Sequence, residues 1–106
     1  MTIVQGTRDA VVSYINGESD GERAKGRRVG VLCAQDTAAL YRADMVKSAG
    51  GRDKPEEIAE RLFRLLREFD GEETEIIYAE AFADTGLGEA IMNRLKKAAG
   101  GRIVRV

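Results

Sequence analysis

Apolar positions along this chain follow two rhythms in turn: short runs of strand length, and longer stretches spaced three and four apart. Thr2–Gln5 (TIVQ) is a β-like run that leads through Gly6-Thr7 into residues 8–15, where Val11, Val12 and Ile15 stand at helical spacing. Thr7 suits the N-cap, Asp9 the positive helix end, and Asn16-Gly17 the predicted stop. Residues 18–27, ESDGERAKGR, are polar and glycine-rich and are expected to form a solvated loop or a frayed helix. Residues 28–33, RVGVLC, are apolar on both faces, as a central parallel strand must be. Asp36-Thr37 is expected to cap a short helix reaching Tyr41, and residues 44–47 to form a third strand that leaves through Ser48-Ala49-Gly50-Gly51.

Asp53-Lys54-Pro55-Glu56-Glu57 is a strong helix start, because Pro fits the first turn and the glutamates suit the positive end. That helix should run to Phe69 on a stripe of Ile58, Ala59, Leu62, Phe63, Leu65, Leu66 and Phe69, and stop at Asp70-Gly71. Residues 75–79, EIIYA, read as a fourth strand, followed by the loop AEAFADTGLG. The last helix lies within residues 86–101, with Leu87, Ile91, Leu95 and Ala98 on its core arc. Arg94 falls at the edge of that arc and Asn93 points away from it. Gly100-Gly101 closes the helix, and residues 102–106, RIVRV, alternate as an exposed edge strand would.

Strand and helix in alternation predict a single α/β domain over residues 1–106. It should hold a five-stranded, mostly parallel sheet with helices on both faces, a flavodoxin- or Rossmann-like three-layer sandwich. A flavodoxin-like strand order and half a Rossmann sheet are the two topologies that fit best. The 106 residues are 43% hydrophobic, enough for one core.

Composition removes many kinds of chemistry. With 17 basic against 18 acidic residues, the formal charge of −1 offers no basic excess for DNA or RNA. A single cysteine, Cys33, allows no disulfide framework, and the chain has no histidine. That excludes cysteine–histidine zinc sites and serine–histidine–aspartate catalysis within these residues. No carboxylate spacing matches a calcium loop, so neither a metal site nor a catalytic residue is expected. The apolar runs are too short to cross a bilayer, and MTIVQG lacks the regions of a signal peptide. A soluble, cytoplasmic domain is the expectation.

In such a sheet, ligands sit at the carboxyl ends of the strands, here Gly6-Thr7, residues 34–36, 48–53 and 80–88. Gly86 and Gly88 open a helix, but Ile91 stands where a third glycine of a dinucleotide motif belongs. Ser48 and Gly50 beside Arg52 lack the Lys-Ser/Thr ending of a phosphate-binding P-loop. Glycines in such loops more often simply turn the chain, and Arg52 is more often solvated than anion-bound. Cys33 reads as a small buried hydrophobe. Asn93 and Arg94 are the sharper candidates, facing another domain, a nucleotide, or both.

The segments GRRVGVL (26–32), Ala43-Asp44, PEEIAERLFRLLREFD (55–70) and GLGEAIMNRLKKAAGGR (86–102) resemble the C-terminal domain of the long form of L-threonylcarbamoyladenylate synthase. The likeness extends along the chain and is poorest at residues 17–26. It implies membership of an enzyme that condenses threonine, bicarbonate and ATP into threonylcarbamoyl-adenylate for a tRNA modification. It also implies that ATP and Mg²⁺ belong to a separate N-terminal YrdC-like catalytic domain. The present domain would dock on and close over that partner, with Gly86, Gly88, Asn93 and Arg94 marking the shared surface and Ser48, Gly50 and Arg52 as further candidates. The alternative is an independent nucleotide- or anion-binding domain that takes ATP or GTP weakly. A phosphoacceptor receiver fits the fold but not the residues, because Gly6-Thr7 and Ser48-Ala49 stand where its acidic groups belong.

Overall fold

The computed structural model describes residues 1–83 and 86–106. Five parallel strands alternate with three helices: β1 (Thr2–Gln5), α1 (Arg8–Ala24), β2 (Val29–Cys33), β3 (Met45–Ser48), α2 (Pro55–Gly71), β4 (Ile76–Glu80), α3 (Leu87–Ala99) and β5 (Ile103–Arg105). A three-residue 3₁₀ turn, Ala38–Leu40, lies between β2 and β3. The sheet order is β3-β2-β4-β1-β5, and every pairing is parallel. This order is neither flavodoxin-like nor half a Rossmann sheet, so the three-layer class stands while both candidate topologies fall.

Side-chain alternation builds a core on each face. Ile3, Leu32 and Ala79 point to the layer of α2 and α3, packing on Leu62, Phe69, Ile91 and Leu95. Val4, Val31 and Tyr78 point the other way, against Val11 and Ile15 of α1 and Tyr41. Connections that step toward β3 cross the α1 face, and those that step toward β5 cross the other. All crossovers therefore share one hand, as twisted parallel sheets require.

Helix α1 runs nine residues past the predicted stop, from Ile15 to Ala24, so the helical alternative holds for most of residues 18–27. Asn16 does not cap it. Its Nδ2 donates to the Leu40 carbonyl at 2.9 Å, and its Oδ1 accepts from the Arg42 amide at 2.7 Å. Ser19 Oγ donates to the Arg42 carbonyl. Two buried polar side chains thus clasp the connection between β2 and β3 to the helix, and that tertiary gain outweighs the weak helix propensity of Asn and Gly.

Helix α2 follows its predicted stripe except at Phe63, which is exposed. No side chain caps it at Lys54; the Glu57 carboxylate instead reaches back toward the Gly51 amide at 3.5 Å. In α3 the buried set is Gly88, Ile91, Met92, Leu95 and Ala99, while Leu87 and Ala98 are exposed. The core arc is turned by roughly 60° from the expected one, at 100° per residue. The cause is close packing: a Cβ on Gly88 would stand 1.8 Å from the Ala83 carbonyl oxygen, so this side of the helix is pressed onto the chain before it. Among the described residues no helix is long and apolar enough to cross a membrane.

Candidate functional site

The loop leaving β4 turns to one face of the sheet, and those leaving β1 and β2 turn to the other. A crevice opens where they part, at the carboxyl end of β4, the position ligands favour in open α/β sheets. Its volume is about 330 Å³, and Val4, Arg8, Val11, Thr37, Arg52 and Phe82 are among its walls, with Glu80 at the base.

Glu80 is 3% exposed, yet its carboxylate is fully engaged. Oε1 accepts from the Ala34 amide and from Arg52 Nη2, each at 2.8 Å. Oε2 accepts from Thr37 Oγ1 at 2.6 Å and from the Tyr41 hydroxyl. A buried carboxylate is tolerable only with such partners. Burial works against the Arg52 charge, but the Glu80 hydrogen bond and charge, with Asp36, outweigh it and hold the guanidinium pKa above its ordinary value. Arg52 also reaches Asp36 at 3.4 Å and lies over the Phe82 ring, 5.7 Å from its centre. Burial, then the Glu80 hydrogen bond and charge, pushes the Tyr41 hydroxyl far up.

Cys33 ends β2 next to this network, buried, and burial pushes its thiol up to about 12, with the Glu80 charge adding to it. A thiol so placed is no nucleophile at neutral pH. The described residues contain no group of three His, Cys, Asp or Glu side chains that would hold a metal.

The predicted candidates separate in space. Arg52 enters the crevice. Ser48 and Gly50 form the neighbouring turn, where Ser48 Oγ accepts from the Gly50 amide at 3.2 Å and Gly50 takes φ +119°. The Gly50 carbonyl accepts from the Gln35 amide, so these two residues shape the chain. Gly86, Gly88, Asn93 and Arg94 do not line the crevice. Gly86 precedes α3 with φ +57°, and Gly88 is the buried contact described above. Asn93 is exposed, whereas Arg94 is half-buried and stacks on Phe63, its guanidinium 4.6 Å from the ring centre. Arg94 Nε is out of water with no hydrogen-bond partner among the described residues. Residues 84 and 85 of the predicted loop lie outside the described residues.

Glu80 itself escaped the sequence reading, which ended β4 one residue early and left Glu80 in a loop. A glutamate after EIIYA carries no mark of burial. Its partners at 34, 37, 41 and 52 are remote in sequence and meet only when β2 and β4 pair.

Fold and site define a doubly wound α/β domain whose crevice is braced from within by a buried ion pair. The chain belongs to the family of the threonylcarbamoyl-AMP synthase C-terminal domain (Sua5_C), whose model matches residues 1–100. The chain is similar to the threonylcarbamoyl-AMP synthase of Bacillus subtilis (strain 168), with 46% identity over 105 residues covering 99% of this chain and 29% of the relative. The enzyme of that name from Pyrococcus abyssi is 40% identical over 104 residues, covering 98% and 29%. Among solved structures, P. abyssi Sua5 complexed with L-threonine superposes with a TM-score of 0.87 at 40% identity, over 99% of this chain and 29% of that one. A C-terminal Sua5 domain from Pyrococcus horikoshii gives 0.76 at 32% identity, over 99% of this chain and 94% of that one. The chain thus spans 29% of the length of the curated relatives it matches.

Proposed function

We propose that this domain is the non-catalytic partner within a threonylcarbamoyl-AMP synthase, docking on and closing over the N-terminal YrdC-like catalytic domain. In this reading the catalytic domain binds ATP and Mg²⁺ and joins threonine, bicarbonate and ATP for tRNA modification in the cytoplasm. The present domain supplies a wall that excludes water while reactive adenylate is held, as lids do.

The observation that carries the reading is the Phe63–Arg94 stack. Phe63 is 53% exposed and Leu87 44%, and Leu87, Ala90 and Arg94 share one side of α3. An aromatic ring, an arginine laid on it and a neighbouring leucine are the residue types that anchor protein interfaces. Asn93 beside them can donate and accept across a contact. The relatives' remaining length is consistent with a second domain in the same polypeptide, which supports the reading.

The test uses the full-length enzyme. Arg94→Ala and Phe63→Ala should each lower threonylcarbamoyl-AMP formation about fivefold to tenfold, the cost of one interface anchor, with the melting temperature of the domain held. Parent-level activity in both variants would overturn the docking role.

A further inference from the structure

Arg52 does more than neutralise Glu80. Among the described residues, each of its hydrogen bonds and ion pairs runs through Nη2, which meets Glu80 and Asp36. Nε and Nη1 therefore keep donors to spare at the mouth of the crevice. Glu80 fixes the guanidinium from below, and Ala34, Thr37 and Tyr41 occupy the rest of that carboxylate. Asp36 is the looser partner, exposed and 3.4 Å away, so an incoming anion can take its place.

The second wall carries Arg8, exposed at the start of α1. Val4, Val11 and Phe82 are the apolar part of the same lining. A volume of about 330 Å³ is at the small end of ligand pockets, suited to a compact metabolite. Preformed arginine forks bind the flat edge of a carboxylate or phosphate through paired hydrogen bonds.

We propose that this crevice is a binding site for a small-molecule oxyanion, a carboxylate or a phosphate, which displaces Asp36 and is held by Arg52 through the Nη2 hydrogen so released together with the free Nε or Nη1, with Arg8 and the apolar Val4, Val11 and Phe82 in the same lining. The proposal is independent of the docking role, because Phe63 and Arg94 lie outside the crevice.

Titration calorimetry and amide NMR shifts of the 106-residue chain with inorganic phosphate, pyrophosphate and malonate, each against sodium chloride at matched ionic strength, test it. The expected result is saturable binding of at least one probe, with shifts concentrated at Gly6, Arg8, Thr37, Arg52 and residues 80–82. Arg52→Lys keeps a positive charge beside Glu80 but loses the fork, and should weaken binding at least tenfold. Arg8→Ala, at an exposed position, should weaken binding severalfold without moving the melting temperature, and so reads the site even if the Arg52 variant folds poorly. Saturation by phosphate and pyrophosphate alone assigns a phosphorylated ligand, and saturation by malonate alone a carboxylate. Responses no different from sodium chloride, or binding that survives both substitutions, would overturn the proposal.

Discussion

Glu80 Oε1 and Arg52 Nη2 lie 2.8 Å apart, the Glu80 side chain almost wholly buried and the Arg52 side chain 41% exposed. The pair is therefore asymmetric. Replacing the buried carboxylate by an amide takes an acceptor from either the Ala34 amide and Arg52 or the Thr37 and Tyr41 hydroxyls, and removes the counter-charge of Arg52, whereas removing Arg52 leaves Glu80 three other donors.

Glu80→Gln should accordingly cost about 3 kcal/mol, the low end for breaking a buried pair because Arg52 is partly solvated. Arg52→Ala should cost less, about 2 kcal/mol, the loss of one hydrogen bond to a buried charge that keeps three other donors. Urea midpoints of the two variants decide it. A larger loss for Arg52→Ala would mean that Glu80 is not the centre of the network.

Asn16→Ala should destabilise by about 2 kcal/mol, since it orphans the Leu40 carbonyl and the Arg42 amide together. Faster hydrogen exchange of the Arg42 amide should accompany the loss. If the exchange rate is unchanged, the clasp is not what holds this loop.

Two kinds of glycine substitution should act in opposite directions. Gly88→Ala puts a methyl into the Ala83 carbonyl and should cost more than about 2 kcal/mol through the backbone shift it forces. Gly17→Ala and Gly21→Ala lie inside α1 with nothing within 4 Å, and each should add about 0.5–1 kcal/mol. Thermal melts of the three variants check the sign of each effect.

Stability should fall at both ends of the pH range. Burial raises Cys33 and Tyr78 to about 12 each, and Tyr41 is raised as well. Raised groups contribute fully below their unfolded values, about 8.5–10, and that contribution is lost as pH climbs toward 12. On the acid side, the Val29 amide, opposed by burial and helped next by Arg23, holds Asp44 below the ordinary carboxylate range. Its contribution is lost as pH falls below about 4. Chemical denaturation at stepped pH should show both limbs, and Asp44→Asn should flatten the acid one. Cys33 should react with a thiol reagent at pH 8 only on unfolding.

How far the sequence could be read depended on how local each signal was. The strands at Thr2–Gln5 and Val29–Cys33 and the start of α2 at Pro55 were plain, because a β-branched run, an unbroken apolar run and a proline before glutamates act within a few residues. Asn16-Gly17 misled, since a stop signal within the segment competes with partners at Leu40 and Arg42 that it does not contain. Arg52 was marked as a candidate from its glycine neighbours, but the carboxylate that aims it was not.

Taken alone, the order of apolar and polar residues determined the α/β class, the parallel strands, the interior place of β2 and the absence of histidine chemistry. These follow from period and composition, which are properties of neighbouring residues. Only the tertiary structure decided the strand order, the facing of α3 and the burial of Glu80 beneath Arg52. Each depends on which distant segments pack together, and a buried charge is stable only where donors from other loops converge on it.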